Sequence, residues 1–281
     1  MSRISPTIRR RRLAAILRQL RHDSGLTLDD AAAELEWSRS RLAYLETGKK
    51  IRPDIGDIQR LLVLYKVPEE HREPLLQLAR QARQRGWWAK FSDVWGKSAY
   101  IGFESEASEI RTFQTTVIPG LLQTPEYAAA TARAALARPA DAVQRVVAAR
   151  MARQEILRQE NPPTVWVVID ENALRRIPDG VAEGQLRHLI QVAEDPDSTI
   201  TIQVLPWSAR LHAGISGSFV LLDFPDPVDS PVLFLETRRD GLFLEDPEEV
   251  ADYRHVFGHL QVAASSQTDT VAFMKRLIKE L

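Results

Sequence analysis

Cysteine is absent from this 281-residue chain. That excludes a disulfide framework and any thiolate metal site, and it fits a reducing, cytoplasmic setting. No apolar run approaches the ~20 residues that cross a bilayer, so no membrane-spanning helix is expected. The N-terminal run MSRISPTIRRRR is basic, but no apolar segment follows it, so it does not read as a signal peptide. Walker and dinucleotide-binding fingerprints are missing, as are internal repeats and long low-complexity tracts. Net charge is also small, at −1.

That near-neutrality conceals an asymmetry. Residues 1–85 hold 18 Lys+Arg against 11 Asp+Glu, whereas the remaining 196 hold 19 against 27. A basic head on an acidic body suits a head that meets a polyanion. Hydrophobic residues make up 44%, enough for a sizeable core. The length allows one large domain or two of ordinary size.

The head reads as five short helices. Leu13, Ile16, Leu17 and Leu20 recur at helical spacing, so Arg9–Ser24 is expected to be an amphipathic helix, ended by Gly25. Thr27 opens a second helix, with Asp30 completing a capping-box pair and Leu28, Ala31, Ala32 and Leu35 as its buried stripe. Ser38 caps a third helix and Gly48 stops it. Leu42 and Leu45 anchor that helix inward, leaving Arg39, Ser40, Arg41, Ala43 and Tyr44 facing outward. Arginine can bond guanine O6 and N7 bidentately, and Tyr44 can pack on a thymine methyl or bond a phosphate. Lys49, Lys50 and Arg52 follow in a loop suited to the phosphate backbone. Asp54 caps a fourth helix, and a fifth runs over 69–85.

Residues 13–67 resemble the Xre (Cro/repressor-like) helix-turn-helix family, and the run SRSRLAYLETGKKIRP at Ser38–Pro53 carries the resemblance most closely. The resemblance implies a lambda-repressor-like bundle, with Thr27, Ser38, Arg39, Ser40, Arg41, Tyr44, Lys49, Lys50 and Arg52 toward DNA. It also implies a structural ion pair between Arg21 and Glu46. Leu28 departs from the pattern: many members have a DNA-touching Gln there, which leaves Thr27 as a cap, a contact or both.

Residues 86–103 form an aromatic connector with Trp87, Trp88 and Trp95, either a docked segment or a lever between domains. Residues 104–281 then mix helices and strands. Helices are expected at Ser105–Val117, after the Thr124 cap, at Asp141–Glu160, Gln185–Glu194, Asp246–Ala264 and Asp269–Leu281. Strands are expected at Thr164–Asp170, Thr199–Leu205, Gly217–Phe224, Pro231–Glu236 and Gly241–Leu244, with turns at Pro225–Pro227 and Arg239–Gly241. This clustering points to an α+β domain with an antiparallel sheet, and so to a mixed α and α/β chain overall. The runs PGLLQTPEY, QVLPW and HAGISGSFVLLDF resemble an antitoxin-like domain of uncharacterised function that follows Xre domains in many actinobacterial regulators. Such regulators are often encoded beside a very small acidic protein, so a protein partner is one expectation.

Enzymatic chemistry finds little support. His255 and His259 are four apart on an expected helix, but Val256 stands where a zinc protease needs Glu, and a third ligand would have to be His188 or His212. Ser216 and Ser218 lie in GISGS, but a strand follows where a nucleophile elbow needs a helix. The expectation is a non-enzymatic DNA-binding regulator without cofactor or metal, paired as a homodimer on a palindromic operator because one head reads few base pairs. A module that mainly holds a small partner protein and a ligand-gated sensor are the alternatives.

Overall fold

The structure, a computed structural model, describes residues 5–50, 52–95, 99–135, 140–237 and 241–281. The chain divides into two compact units, Met1–Ala89 and Lys90–Leu281.

The first unit is helical: α1 (Pro6–Asp23), α2 (Leu28–Glu34), α3 (Arg39–Glu46), α4 (Ile55–Leu64) and α5 (Glu69–Ala82). Pro6 starts α1 three residues earlier than the apolar spacing indicates, since proline is pre-set for a first helical turn. Gly25 ends it in the left-handed region at φ +73°. Thr27 and Asp30 form a reciprocal capping box, with both backbone-to-side-chain bonds at 3.1 Å. Between α2 and α3 the chain turns at Glu36, a non-glycine at φ +55°. The turn is closed by Trp37 N–H donating to Ala32 O at 2.8 Å and Glu36 N–H to Ala33 O at 3.0 Å. Leu17, Ala31, Leu42, Ile58, Leu61, Leu62 and Ala79 fill one continuous core. That core draws on all five helices, so α3 is seated from below.

The second unit opens with two short helices, α6 (Ser92–Trp95) and α7 (Tyr100–Glu104), and then strand β1 (Glu109–Gln114). Helices α8 (Pro125–Ala134) and α9 (Ala140–Gln154) lead to β2 (Thr164–Asp170), and α10 (Glu171–Arg175) and α11 (Asp179–Glu194) lead to β3 (Ile200–Leu205). Strands β4 (Phe219–Asp223), β5 (Val232–Glu236) and β6 (Gly241–Leu244) follow, and α12 (Pro247–Ala263) and α13 (Gln267–Glu280) come last. The six strands lie in the order β3-β2-β1-β4-β5-β6.

Two expectations need correction. The sheet is mixed rather than antiparallel: β1 and β2, and β2 and β3, pair in parallel, while β1–β4, β4–β5 and β5–β6 pair antiparallel. The parallel pairs follow from the helices between those strands, because a helical crossover returns the chain in the same direction. The stretch expected as a helix over Ser105–Val117 contains β1, a central strand. Its neighbours decide this: Ile110 sits opposite Val165 on one side and Leu222 on the other. The turn expected at Arg239–Gly241 falls on residues 238–240, outside the described residues.

Phe113, Val168, Phe219, Leu221 and Leu233 of the sheet pack with Val250, Phe257 and Leu260 of α12. The outer edge of β3 is capped locally: Val204 N–H donates to Thr270 Oγ1 at 3.0 Å, and Val204 O accepts from Ser265 N–H at 2.8 Å. That arrangement blunts a strand edge that would otherwise invite pairing.

Candidate nucleic-acid interface

Buried Leu42, Leu45 and Glu46 define the inward side of α3. At 100° per residue the opposite side carries Ser40, Tyr44 and Thr47. All three are exposed, Tyr44 at 54%. Ser38 caps the helix, its Oγ accepting from Arg41 N–H at 3.3 Å, and Ser40 Oγ donates to Ser38 Oγ at 3.4 Å. Thr47 Oγ1 is turned back onto Ala43 O at 2.7 Å, so Ser40 and Tyr44 are the polar groups left on the outward face.

The two arginines stand on the flanks of this face, each drawn to a neighbouring helix. Arg39 Nε lies 3.1 Å from Asp29 Oδ1 on α2, with both side chains about 70% exposed (71% and 72%). Arg41 Nη2 donates to Asp57 Oδ1 on α4 at 2.7 Å, and its guanidinium lies over the Trp37 ring at 4.4 Å. Arg60 also lies over that ring, at 5.4 Å, and donates to Leu35 O. Beyond the helix, Gly48 at φ +68° turns the chain, and Lys50 N–H donates to Tyr44 O at 3.1 Å. Lys49, Lys50 and Arg52 are exposed. Thr27 is exposed too, but its hydroxyl is engaged with Asp30, whose carboxyl is held below its ordinary value by those bonds.

Arg21 and Glu46 join the scaffold behind the face. Arg21 Nε and Nη2 grip the Glu46 carboxylate at 2.9 and 3.0 Å, and Nη1 donates to Leu26 O at 2.9 Å. Tyr65 OH donates to Glu46 Oε1 at 3.2 Å. The network thus ties α1, the entry to α2, the end of α3 and the end of α4 in one buried knot. Hydrogen bonding to Glu46 raises the Arg21 pKa, with burial opposing it, while burial and then the Glu46 charge push the Tyr65 phenol up.

Residues 12–75 match the model of a helix-turn-helix domain. Residues 98–276 match the model of a domain of unknown function, DUF5753. The chain belongs to the DUF5753 family. No curated protein and no solved structure matches it. This DUF5753 member therefore carries at its N-terminal end the fold that DNA-binding regulators use.

Reading the sequence alone missed Asp29, Asp57, Trp37, Arg60 and Tyr65 as partners of the interface. The available signals were slight: Trp37 directly precedes the Ser38 cap, and Asp57 falls in the first turn after the Asp54 cap. In the DUF5753 unit, His255 and His259 Nε2 atoms lie 3.0 Å apart on α12. Neither His188 nor His212 joins them, since no group of three or more metal-ligating side chains forms among the described residues. His212 instead sits 4.0 Å from Asp170 Oδ2 and accepts from Gly214 N–H on Nδ1. Burial lowers the His188 pKa, helped by Arg158. Ser216 is exposed, and Ser218 Oγ accepts from Thr115 N–H at 3.0 Å before the chain enters β4. Among the described residues, no helix is long and apolar enough to cross a membrane.

Proposed function

We infer that this protein is a sequence-specific transcription regulator of the Xre kind. Helix α3 enters the major groove, with Arg39, Ser40, Arg41 and Tyr44 toward base edges and Lys49, Lys50 and Arg52 toward phosphates. Ser38 and Thr27 hold the two helix starts, and the Arg21–Glu46 pair fixes the angle of α3. The observation that carries this reading is the exposed Ser40–Tyr44 face, flanked by two guanidiniums and followed by three exposed cations. The protein acts as a homodimer on a palindromic operator in the cytoplasm, and the DUF5753 unit regulates it without catalysis. A titration against the DNA upstream of its own gene tests this: a tight, sequence-dependent shift is expected. Equal affinity for that DNA and a scrambled duplex would reject sequence-specific regulation.

A second reading has its own support. Residues 86–281 carry the acidic balance of the chain, and the antitoxin-like resemblance lies there, so this unit holds a small protein partner whose presence controls DNA occupancy. Co-purification with the product of the adjacent gene is expected. Recovery of the protein alone at low salt would count against it.

A further inference from the structure

The DUF5753 unit contains a guanidinium without a partner. Arg150 lies on α9, one turn before Arg153. Arg153 is engaged through two of its three nitrogens: it grips Glu104 through Nε and through Nη2, the latter at 2.6 Å, and Tyr100 OH donates to the same carboxylate at 2.9 Å. Glu104 is thereby spent. Arg150 makes no hydrogen bond and no ion pair with any described residue, and its Nε is sealed from solvent without a partner. Glu236, Glu104 and Tyr100 act on it only through space. The residue as a whole is half-buried.

Both arginines converge on Gly120, in the 3₁₀ turn Gly120–Leu122. A methyl group at Gly120 would strike Nη1 of Arg150 and lie 2.9 Å from Nη1 of Arg153. Two like charges therefore stand side by side against the bare backbone of Gly120, in space that a side chain there would take. The turn is held rigidly: Gln154 Nε2 donates to Gly120 O at 3.0 Å and to Gln123 O at 2.7 Å. A buried donor with no acceptor is costly, and a second cation beside it adds to the cost. Burial, and then the Arg153 charge, push the Arg150 guanidinium down to about 10.

We propose that Arg150, Arg153 and the Gly120 turn form a binding site for the oxyanion group of a small ligand, a phosphate or a carboxylate, and that this is the effector site of the DUF5753 unit. A planar guanidinium with free donors suits such a group, and two adjacent ones can share its oxygens. The proposal supplies the effector in the regulatory reading above but does not depend on DNA binding by the first unit.

The test uses the full chain with inorganic phosphate and, separately, succinate, against chloride at matched ionic strength. The melting temperature is expected to rise with the logarithm of phosphate or succinate concentration, as linkage requires, and not with chloride. Whichever anion acts identifies the ligand class. Arg150→Met, which keeps the stem and removes the charge, should fold with unchanged or higher stability without added anion and bind about tenfold or more weakly. Gly120→Ala should weaken the response by displacing the Arg150 guanidinium from the turn. An identical response in Arg150→Met, or shifts that chloride reproduces, would overturn the proposal. So would an anion-blind wild type together with an Arg150→Met that unfolds, since Arg150 would then be purely structural.

Discussion

Arg41 donates to Asp57 at 2.7 Å while its guanidinium lies over Trp37, so one of the two arginines flanking the outward face is anchored to α4. Arg39 is held far more loosely, since its pair with Asp29 is exposed on both sides. Exposed pairs of that kind contribute ~0–1 kcal/mol, so Arg39 can leave Asp29 at little cost. To reach a base, Arg41 has to exchange a shielded carboxylate and a stacking contact. The two substitutions should therefore differ. Arg39→Ala is expected to reduce specific affinity by ~1–3 kcal/mol while sparing non-specific binding. Arg41→Ala should lose less affinity and more thermal stability. Anisotropy titrations on cognate and scrambled duplexes, paired with melting curves, measure both; identical losses in the two variants would show that the flanks are equivalent.

Lys50 lies in the loop that folds back on the end of α3, and its side chain is exposed. A phosphate contact there releases about one counterion and carries no sequence information. Lys50→Ala should weaken binding to all duplexes alike and reduce the slope of log K against log salt by about 1. An unchanged slope would place this side chain away from the backbone of the DNA.

The local features of the fold were legible in the sequence because they depend on neighbours a few residues away. Ser38, Asp54 and Thr124 each accept from a backbone N–H within three residues. Strand β1 was not legible, because what makes it a strand is residues 164–169 and 219–223 beside it. The Trp37–Arg41–Asp57 cluster was hidden for the same reason: Arg41 and Asp57 are sixteen residues apart and meet only once the helical bundle has formed. Arg150 was concealed by composition, since an arginine-rich helix ordinarily reads as a solvated one.

Glu46 offers a sharper test of what holds α3 in place. Its carboxylate receives Arg21 and Tyr65 in a shielded setting. Removing one member of a buried pair leaves a charge without a partner, which costs ~3–5 kcal/mol, whereas replacing both by apolar groups is often near neutral. Glu46→Ala is expected to unfold the first unit at far lower urea than wild type. The double variant Arg21→Met, Glu46→Leu should recover most of that loss. Failure of the double variant to recover would mean that the pair supplies net stability beyond cancelling its own burial.

Tyr65 links the same knot to pH. Burial and the Glu46 charge raise its phenol above the ordinary value of 10.0, so the folded state prefers the neutral form. A group raised on folding contributes stability that is complete below its unfolded pKa and is lost as pH climbs toward the folded one. The expected window therefore opens above about pH 10. Tyr100 is raised in the same direction in the second unit, so the slope of wild type alone does not isolate Tyr65. The comparison with Tyr65→Phe does. At neutral pH that variant should lose ~1.5–3 kcal/mol, the worth of a hydrogen bond to a charged group. The gap between the two proteins should then narrow as pH rises past 10, because wild type must ionise a buried phenol beside a carboxylate and Phe has nothing to ionise. Urea midpoints taken at intervals across that range measure the gap directly, and a constant difference would show that neither burial nor Glu46 raises the phenol on folding.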